Sequence, residues 1–558
     1  MTRRTSLRSN FEPGTPRWAV RRAQWKALGL SDDDLAKPKI AIVNTSSELS
    51  SCFSHLDDVV ARVKEGVRAA GGIAFEVRTA APSDFITSAG RQGRYILPSR
   101  DLLVNDIEVQ VEGALLDGMV CLASCDKTAP GQLMAAARLD LPTILVPCGY
   151  QRDGVLDGKR VDIEEVYESV GKVATGEMSL EQLGRMCDVA IGSPGVCAGM
   201  GTANTMHIAC EALGMALPGS SPVLAGSERM VANAEASGRR IVEMVWEDLR
   251  PRRIMTAAAF ENAVMVGLAL SGSINLVRHL QAIAVEAACA VDLYELYDRL
   301  GAKVPLLCAV RPNGETRIGE LDAAGGTRGV LKRLESLVHL EAVTVGGRSL
   351  GAVLAETTGV GEVIRPIDRP LSTRPSVVVM RGNLAPDGSI LKLGNADAKT
   401  TMFRGRARVY PSQEAALEGL RSGQLVDGTV AVLRGMGPRG GPGMALASGF
   451  VAALDGAGRS AAVAVLTDGQ LSGLNRGIAI GQVSPEAAMG GLLPLIEDGD
   501  PIVIDVERRT VTLDLTDEAI DARRATARPP VPADERGWLS IYARTVAPMQ
   551  TGAVLVKP

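Results

Sequence analysis

The stretch Lys39-Ile40-Ala41-Ile42-Val43-Asn44-Thr45-Ser46-Ser47 sets the reading of the fold. A short apolar run that ends in a polar turn has the length of a buried strand rather than a helix. Asp57 to Ala70 then places Val59, Val60, Val63 and Val67 at helical spacing and stops at Gly71-Gly72. Ile73-Ala74-Phe75-Glu76-Val77 returns to a strand. Working outward, Leu115 to Leu122 and Pro142 to Pro147 repeat the theme, with a helical Gly131 to Leu139 between them. Strands separated by helices of this length predict a parallel sheet covered on both faces. Loops at the carboxyl ends of such strands converge on one crevice, where ligands bind.

Residues 205–300 read as largely helical, with Glu228 to Trp246 one periodic segment. The composition shifts at Pro366-Ile367-Asp368-Arg369-Pro370. Beyond it lie β-rich runs at 376–380, 429–433, 462–466 and 501–515, punctuated by the turn signals Asp387-Gly388, Asp427-Gly428 and Asp498-Gly499. We therefore expect two domains: an α/β domain over 1–370, a parallel sheet with flanking helices, and a β-rich, barrel-like domain over 371–558.

The 558 residues carry 60 Lys+Arg against 64 Asp+Glu, a net charge of −4. That balance argues against nucleic acid or an anionic membrane as the partner, but leaves room for a small anionic substrate. No stretch approaches the roughly 18 apolar residues of a membrane span, and the N-terminus lacks the apolar segment of an export signal. An odd count of nine cysteines without such a signal reads as reduced thiols in the cytoplasm. Only four histidines are present, so thiolate and carboxylate chemistry is favoured over an imidazole metal site.

Three cysteines occupy polar or Gly-rich turns. Cys52 follows the first strand, Cys125 lies in Ser124-Cys125-Asp126-Lys127, and Cys197 opens Cys197-Ala198-Gly199-Met200-Gly201. Converging in one crevice, three thiolates could hold an iron–sulfur cluster and leave one iron partly open. Without a Cys-x-x-Cys pair, spacing alone equally allows buried apolar thiols, the reading adopted for Cys121, Cys148, Cys210, Cys289 and Cys308. Asp84 and Asp126, with Lys127 adjacent, could hold a hard cation such as magnesium, or could be surface and capping residues. Ser472, in Thr467-Asp468-Gly469-Gln470-Leu471-Ser472-Gly473, has no base beside it in sequence and reads by itself as a turn serine. Gly435 to Met444 looks like a phosphate-cradling loop, but it lacks the Gly-Lys-Ser/Thr ending and carries two prolines without N–H groups, which excludes a nucleotide site. His207 and His279 read as helix or core residues, and His55 as a candidate for the site wall.

Taken together, the chain resembles the dihydroxy-acid dehydratase and phosphogluconate dehydratase family, and is closest to the dihydroxy-acid branch. The resemblance rests on Tyr95-Ile96-Leu97-Pro98-Ser99-Arg100, Cys125-Asp126-Lys127, Gly199 to Met206, Arg381 to Gly388, Gly440 to Met444, Thr467-Asp468-Gly469 and Val483-Ser484-Pro485-Glu486-Ala487. These motifs run in the same order from about Lys39 to about Ala543. The resemblance implies an α/β domain and a β-barrel domain with the site between them, in a homodimer or a dimer of dimers. It also implies that Cys52, Cys125 and Cys197 ligate an iron–sulfur cluster of two or four irons. Asp84, Asp126 and a carbamylated Lys127 would bind magnesium, and Ser472 would be the base. The implied reaction is loss of water from a 2,3-dihydroxy carboxylate to give a 2-oxo acid, as in branched-chain amino acid biosynthesis.

The sequence departs from the family pattern around the metal. Leu446 stands where an acidic residue follows Pro-Gly-Met, Met436 replaces a polar or acidic residue, Gln482 replaces a histidine, and Phe53 replaces an asparagine. Gly90-Arg91-Gln92-Gly93-Arg94 lacks an acidic residue and gains two arginines, of which Arg91 or Arg94 could face an acidic group on a substrate. The expected cluster ligands are intact, while the metal and substrate shells are altered. Alternative readings are a sugar-acid dehydratase, or a catalytically impaired paralogue that keeps the fold for binding or sensing.

Overall fold

A computed structural model describes residues 6–80, 83–87, 90–393, 401–441, 443–473, 477–527 and 536–555. The side chains of Gly90, Arg91 and Gln92 lie outside the described set, as does Pro442 of the Gly435–Met444 loop. The first sheet has four strands in the order Ile73–Arg78, Lys39–Asn44, Gly118–Ala123, Thr143–Pro147, all parallel. The two central strands are buried along their whole length, which explains their unbroken apolar character. The 118–123 strand starts later than Leu115, because Leu115 sits in a left-handed turn at φ +50°.

The order of this sheet sets the position of the crevice. From Lys39–Asn44 the chain goes to one neighbour, Ile73–Arg78, and then returns to the other side of the same strand as Gly118–Ala123. The loops leaving 39–44 and 118–123 therefore diverge at a topological switch point, where an α/β sheet opens a crevice. These loops carry Cys52 and Cys125.

Helix Leu56–Ala69, just after the first of these loops, packs against helix Glu228–Glu247. The contact is close because glycines face backbone across it. A Cβ on Gly66 would collide with the Glu235 carbonyl oxygen, and one on Gly238 with the Val63 carbonyl oxygen. The helical region expected over 205–300 is present, from Thr202–Ala212 through Leu293–Gly301.

The second sheet has eight strands, in the order Thr510–Leu513, Pro501–Asp505, Met402–Tyr410, Thr429–Leu433, Val463–Thr467, Ala479–Ser484, Gly388–Lys392, Val377–Met380. Its centre is parallel and its flanks antiparallel. Its two edges meet where Arg381 bridges Thr510, with Val511 N–H donating to the Arg381 carbonyl at 2.6 Å, so the sheet is nearly barrel-shaped. Among the described residues no helix is long and apolar enough to cross a membrane. All nine cysteines are free thiols.

Because backbone blocks the space around Gly238, we expect Gly238→Ala to destabilise the fold by about 1–3 kcal/mol through overpacking. A lowered denaturation midpoint checks this, and an unchanged midpoint would mean that the two helices can slide apart freely.

Candidate active site

A cavity of about 690 Å³, including its open mouth, gathers residues from seven separated stretches of the chain. Cys52, Asp84, Cys125, Asp126, Cys197 and Ser472 all line it. Lys127 does not line it, but stands immediately behind with its Nζ 3.4 Å from Asp84 Oδ2 and in a short contact with Asp126 Oδ2. Leu446 lines the wall, so the position expected to carry a carboxylate does face the site.

Local structure accounts for this convergence. The two switch-point loops are tied together by Ser124, whose hydroxyl donates to the Cys52 carbonyl at 2.5 Å. Thr128 closes the second loop by donating to the Cys125 carbonyl and accepting from Ser124 N–H. Cys197 leads into helix Thr202–Ala212 through Gly199, Met200 and Gly201, a turn held by Asn204, whose amide donates to the carbonyls of Cys197 and Gly199 at 2.8 Å each. Ser472 is brought in from the second sheet. Gln470 and the 445–447 segment pair as a short parallel bridge, which sets Leu446 alongside the serine loop, and the buried Lys392 ammonium donates to the Gly473 carbonyl at 2.8 Å. A Cβ on Gly473 would overlap Met200 backbone, so the two loops can meet only through glycine.

The thiols are buried or half-buried. A hydrogen bond from Cys125 lowers the Cys52 thiol, and the same bond together with burial raises Cys125 well above its ordinary value. Burial, reinforced by the Glu164 charge, raises Cys197. Burial and the neighbouring Asp126 charge push Asp84 well above the usual carboxylate range. Burial also acts to raise Asp126, but the Lys127 charge and hydrogen bonds with Asp84, Lys127 and Thr202 outweigh it and leave that group low. Two carboxylate oxygens, Asp84 Oδ1 and Asp126 Oδ1, are buried and, with both groups ionised, have no hydrogen-bond donor. Such oxygens each cost roughly 1–3 kcal/mol unless something is bound to them. Soft thiolates suit iron and hard carboxylate oxygens suit magnesium, so the donor set fits both groups. Among the described residues, however, no three or more His, Cys, Asp or Glu are gathered closely enough to form a ready-made cage.

Other expectations separate cleanly. Cys121, Cys148, Cys210 and Cys308 are buried packing thiols, whereas Cys289 is half-exposed rather than buried, and Cys187 is exposed. His55 is not in the cavity wall: its Nε2 donates to the Cys148 carbonyl at 2.7 Å. His207 is a core residue, its Nε2 donating to the Ser124 carbonyl at 2.8 Å, with burial holding it down to about 4. Phe53 packs in the core and Gln482 is buried beside Asn275, so neither replacement lines the cavity. The N–H groups of Arg439 and Gly440 are taken by the Glu486 carboxylate, which accords with the exclusion of a nucleotide there.

Sequence reasoning missed Glu164, Tyr167 and Ser448, which also line the cavity. Glu164 is in the first turn of helix Ile163–Ala174, whose start is fixed by Asp162 and Glu165 in a capping box. That Asp-x-x-Glu signal marks the helix start but not which face turns inward. Burial, with the charges of Asp162 and Glu168, pushes the Glu164 carboxyl up to about 8 from 4.5. Across that window the folded chain holds a proton that the unfolded chain releases, so this group costs stability as pH rises from 4.5 towards 8. We expect Glu164→Gln to remove this loss, so that wild type falls behind the variant in apparent unfolding temperature between pH 5 and pH 8. Parallel pH profiles would contradict the assignment.

The N-terminal model of the dihydroxy-acid/6-phosphogluconate dehydratases matches residues 37–353, and the C-terminal model matches residues 362–553. The dihydroxy-acid dehydratase of Methanosarcina barkeri is 39% identical, over 98% of this chain and 100% of its own. Those of Ignicoccus hospitalis and Methanothermobacter thermautotrophicus are 40% and 42% identical, over 97% and 96% of this chain and 98% of their own. With both halves matched in order and the relatives covered nearly end to end, the chain belongs to the dihydroxy-acid/6-phosphogluconate dehydratase family.

Proposed function

We propose that this protein is a hydro-lyase that removes water from a 2,3-dihydroxy carboxylate bearing an alkyl group, and yields the 2-oxo acid. The observation that carries the reading is the composition of one cavity: Ser472, three thiols and two aspartates share it with an apolar wall of Phe85, Tyr167, Val196, Ala203 and Leu446. Phe85 and Tyr167 stack edge to face at 5.8 Å, which gives that wall a defined shape. An alkyl substituent gains by burial there. This favours the dihydroxy-acid over the sugar-acid reading, and a role in branched-chain amino acid biosynthesis fits it.

In this proposal Cys52, Cys125 and Cys197 hold an iron–sulfur cluster, and Asp84, Asp126 and a carbamylated Lys127 hold magnesium. When bound, these groups supply Lewis acidity at the departing 3-hydroxyl and at the carboxylate and 2-hydroxyl. Ser472 Oγ, as the alkoxide, would take the proton from C2 while the 3-hydroxyl leaves with the C–O electron pair. That proton passes to the departing hydroxide to give water, and the enol left behind tautomerises to the 2-oxo acid. Lys392 holds the Gly473 carbonyl, which anchors the backbone that follows the serine. Phe85, Tyr167 and Leu446 keep water from the reacting carbons. The family resemblance supports a boundary near residue 370 and assembly as a homodimer or a dimer of dimers.

Anaerobic reconstitution followed by dehydration assays over dihydroxy and sugar acids, with and without magnesium, tests the reading. We expect 2-oxo acid from alkyl dihydroxy acids; none from any substrate despite a full cluster would favour the binding or sensing paralogue. Alanine at Cys52, Cys125 or Cys197 should abolish iron retention, while Cys289→Ala should leave iron content unchanged. Leu446→Glu should tighten magnesium binding by about tenfold, as one added carboxylate oxygen would. Unchanged affinity in calorimetry would place the cation elsewhere.

A further inference from the structure

The carboxyl group of Glu164 has no role in the chemistry above. It is nine-tenths buried, at 7% exposure, and it lines the cavity. Among the described residues no ion pair holds it. Arg311, whose charge acts on Glu164, is committed to Asp162 at 3.3 Å and Glu165 at 3.0 Å. Lys392, the other cation acting on it, donates to the Gly473 carbonyl. Space has been left for Glu164 by two glycines. A Cβ on Gly199 would lie 2.8 Å from its Cγ and 2.9 Å from its Oε1, so any side chain there would displace it. The position of a Cβ on Gly201 lies 3.9 Å from Glu164 Oε1, 3.9 Å from Ser472 Oγ and 3.6 Å from Cys197 Sγ, so these three atoms surround a single point. Glu164 thus shares this part of the cavity with Ser472 and Cys197.

A buried carboxyl group facing the base has one natural partner on a dihydroxy acid. In the reading above the substrate's carboxylate and 2-hydroxyl go to the Asp84, Asp126 and Lys127 group, an alkyl group would leave Glu164 unsatisfied, and the 3-hydroxyl would satisfy it. Ser472 acts at C2, so a group facing it across the same point meets the hydroxyl of the adjoining carbon. Resting on the hydro-lyase reading, we propose that Glu164 is a substrate-contacting residue whose carboxyl group hydrogen-bonds the 3-hydroxyl and selects for acids that carry it.

The experiment compares two ligands on the reconstituted holoenzyme: 2,3-dihydroxy-3-methylbutanoate and 2-hydroxy-3-methylbutanoate, which lacks the 3-hydroxyl. Glu164→Gln keeps the size and exchanges the carboxyl group for an amide; Glu164→Ala removes the contact. We expect kcat/KM for the dihydroxy acid to fall about tenfold in the first and about a hundredfold in the second, as weakening and then loss of a buried hydrogen bond predict. Calorimetric affinity for the 2-hydroxy acid should stay within about twofold in both, with iron content and cluster spectrum unchanged. Equal weakening of the two ligands, kcat/KM within about twofold of wild type in Glu164→Gln, or loss of iron in that variant would each overturn the proposal. If wild type forms no 2-oxo acid, the hydro-lyase reading fails by itself. The difference in affinity between the two ligands, and its disappearance in Glu164→Gln, then still decides whether Glu164 reads the hydroxyl.

Discussion

Everything in the site depends on two parallel strands leaving their sheet in diverging directions. Strands Lys39–Asn44 and Gly118–Ala123 are hydrogen-bonded neighbours, so the loops that follow them begin about 5 Å apart. The connections to their next strands run to opposite sides, which opens a gap that neither loop fills. The Ser124 hydroxyl spans the gap to the Cys52 carbonyl and fixes the separation of the two loops. Cys52 and Cys125 are close enough to hydrogen-bond because this backbone contact is made. The third cysteine arrives on an independent element, the turn before helix Thr202–Ala212, and the serine arrives from the other sheet.

That second contribution needs a way for two backbones to approach closely, and glycine supplies it. Gly473 meets Met200 and Gly201 backbone, and Gly469 meets the Ala445 carbonyl, at distances that no Cβ would permit. Behind this seam lies a buried polar network. Thr202 accepts from Asn275, Asn275 accepts from Arg278 and Gln482, and Arg278 donates to Gln470 at 3.0 Å. One buried guanidinium therefore touches the loop that ends in Ser472, and through Met444 Sδ at 3.1 Å also the loop that carries Leu446. Asp468 plays a similar part further out, accepting from Met436 N–H and Ala487 N–H and pinning three loops to one carboxylate. Buried networks of this kind are costly when half-satisfied, so they hold one arrangement of the loops against others.

The parts of this design that follow a period or a turn rule were readable in advance. Asp387-Gly388, Asp427-Gly428 and Asp498-Gly499 are turns whose glycines sit at φ +101°, +80° and +92°, where other residues strain. Strands 377–380, 429–433 and 463–467 follow from unbroken apolar runs. The run from Pro501 is a hairpin rather than one strand, because Arg509 turns at φ +56°. Three strands of the second sheet were invisible to pattern reading. Met402–Tyr410 carries three arginines, Gly388–Lys392 ends in a lysine that is fully buried, and Ala479–Ser484 is broken by an irregularity at Gln482, with φ +58°. In each, tertiary context overrides composition. Glu164 escaped for the same reason: a glutamate in the first turn of a helix ordinarily faces water, and only the packing of residues 199–201 shows that this one does not.

The site is less stable by itself than the fold around it requires. Asp84 Oδ1, Asp126 Oδ1 and Ser448 Oγ are buried without partners, and Glu164 is held largely protonated against its ordinary tendency. Each of these features costs folding free energy while nothing is bound, and none improves the packing of the core. A chain under pressure for stability alone would replace them with apolar residues, as the wall already does at Val196, Ala203 and Leu446. Their cost is offset only when a ligand supplies the missing partners, because whatever binds the folded state and not the unfolded one stabilises it by mass action. On the proposed reading a cation, a cluster and a substrate bound there would all be coupled to the stability of the same loops. Cys52 and Cys125 tie that coupling back to the two central strands, so occupancy of the cavity should be felt as rigidity of the switch point itself.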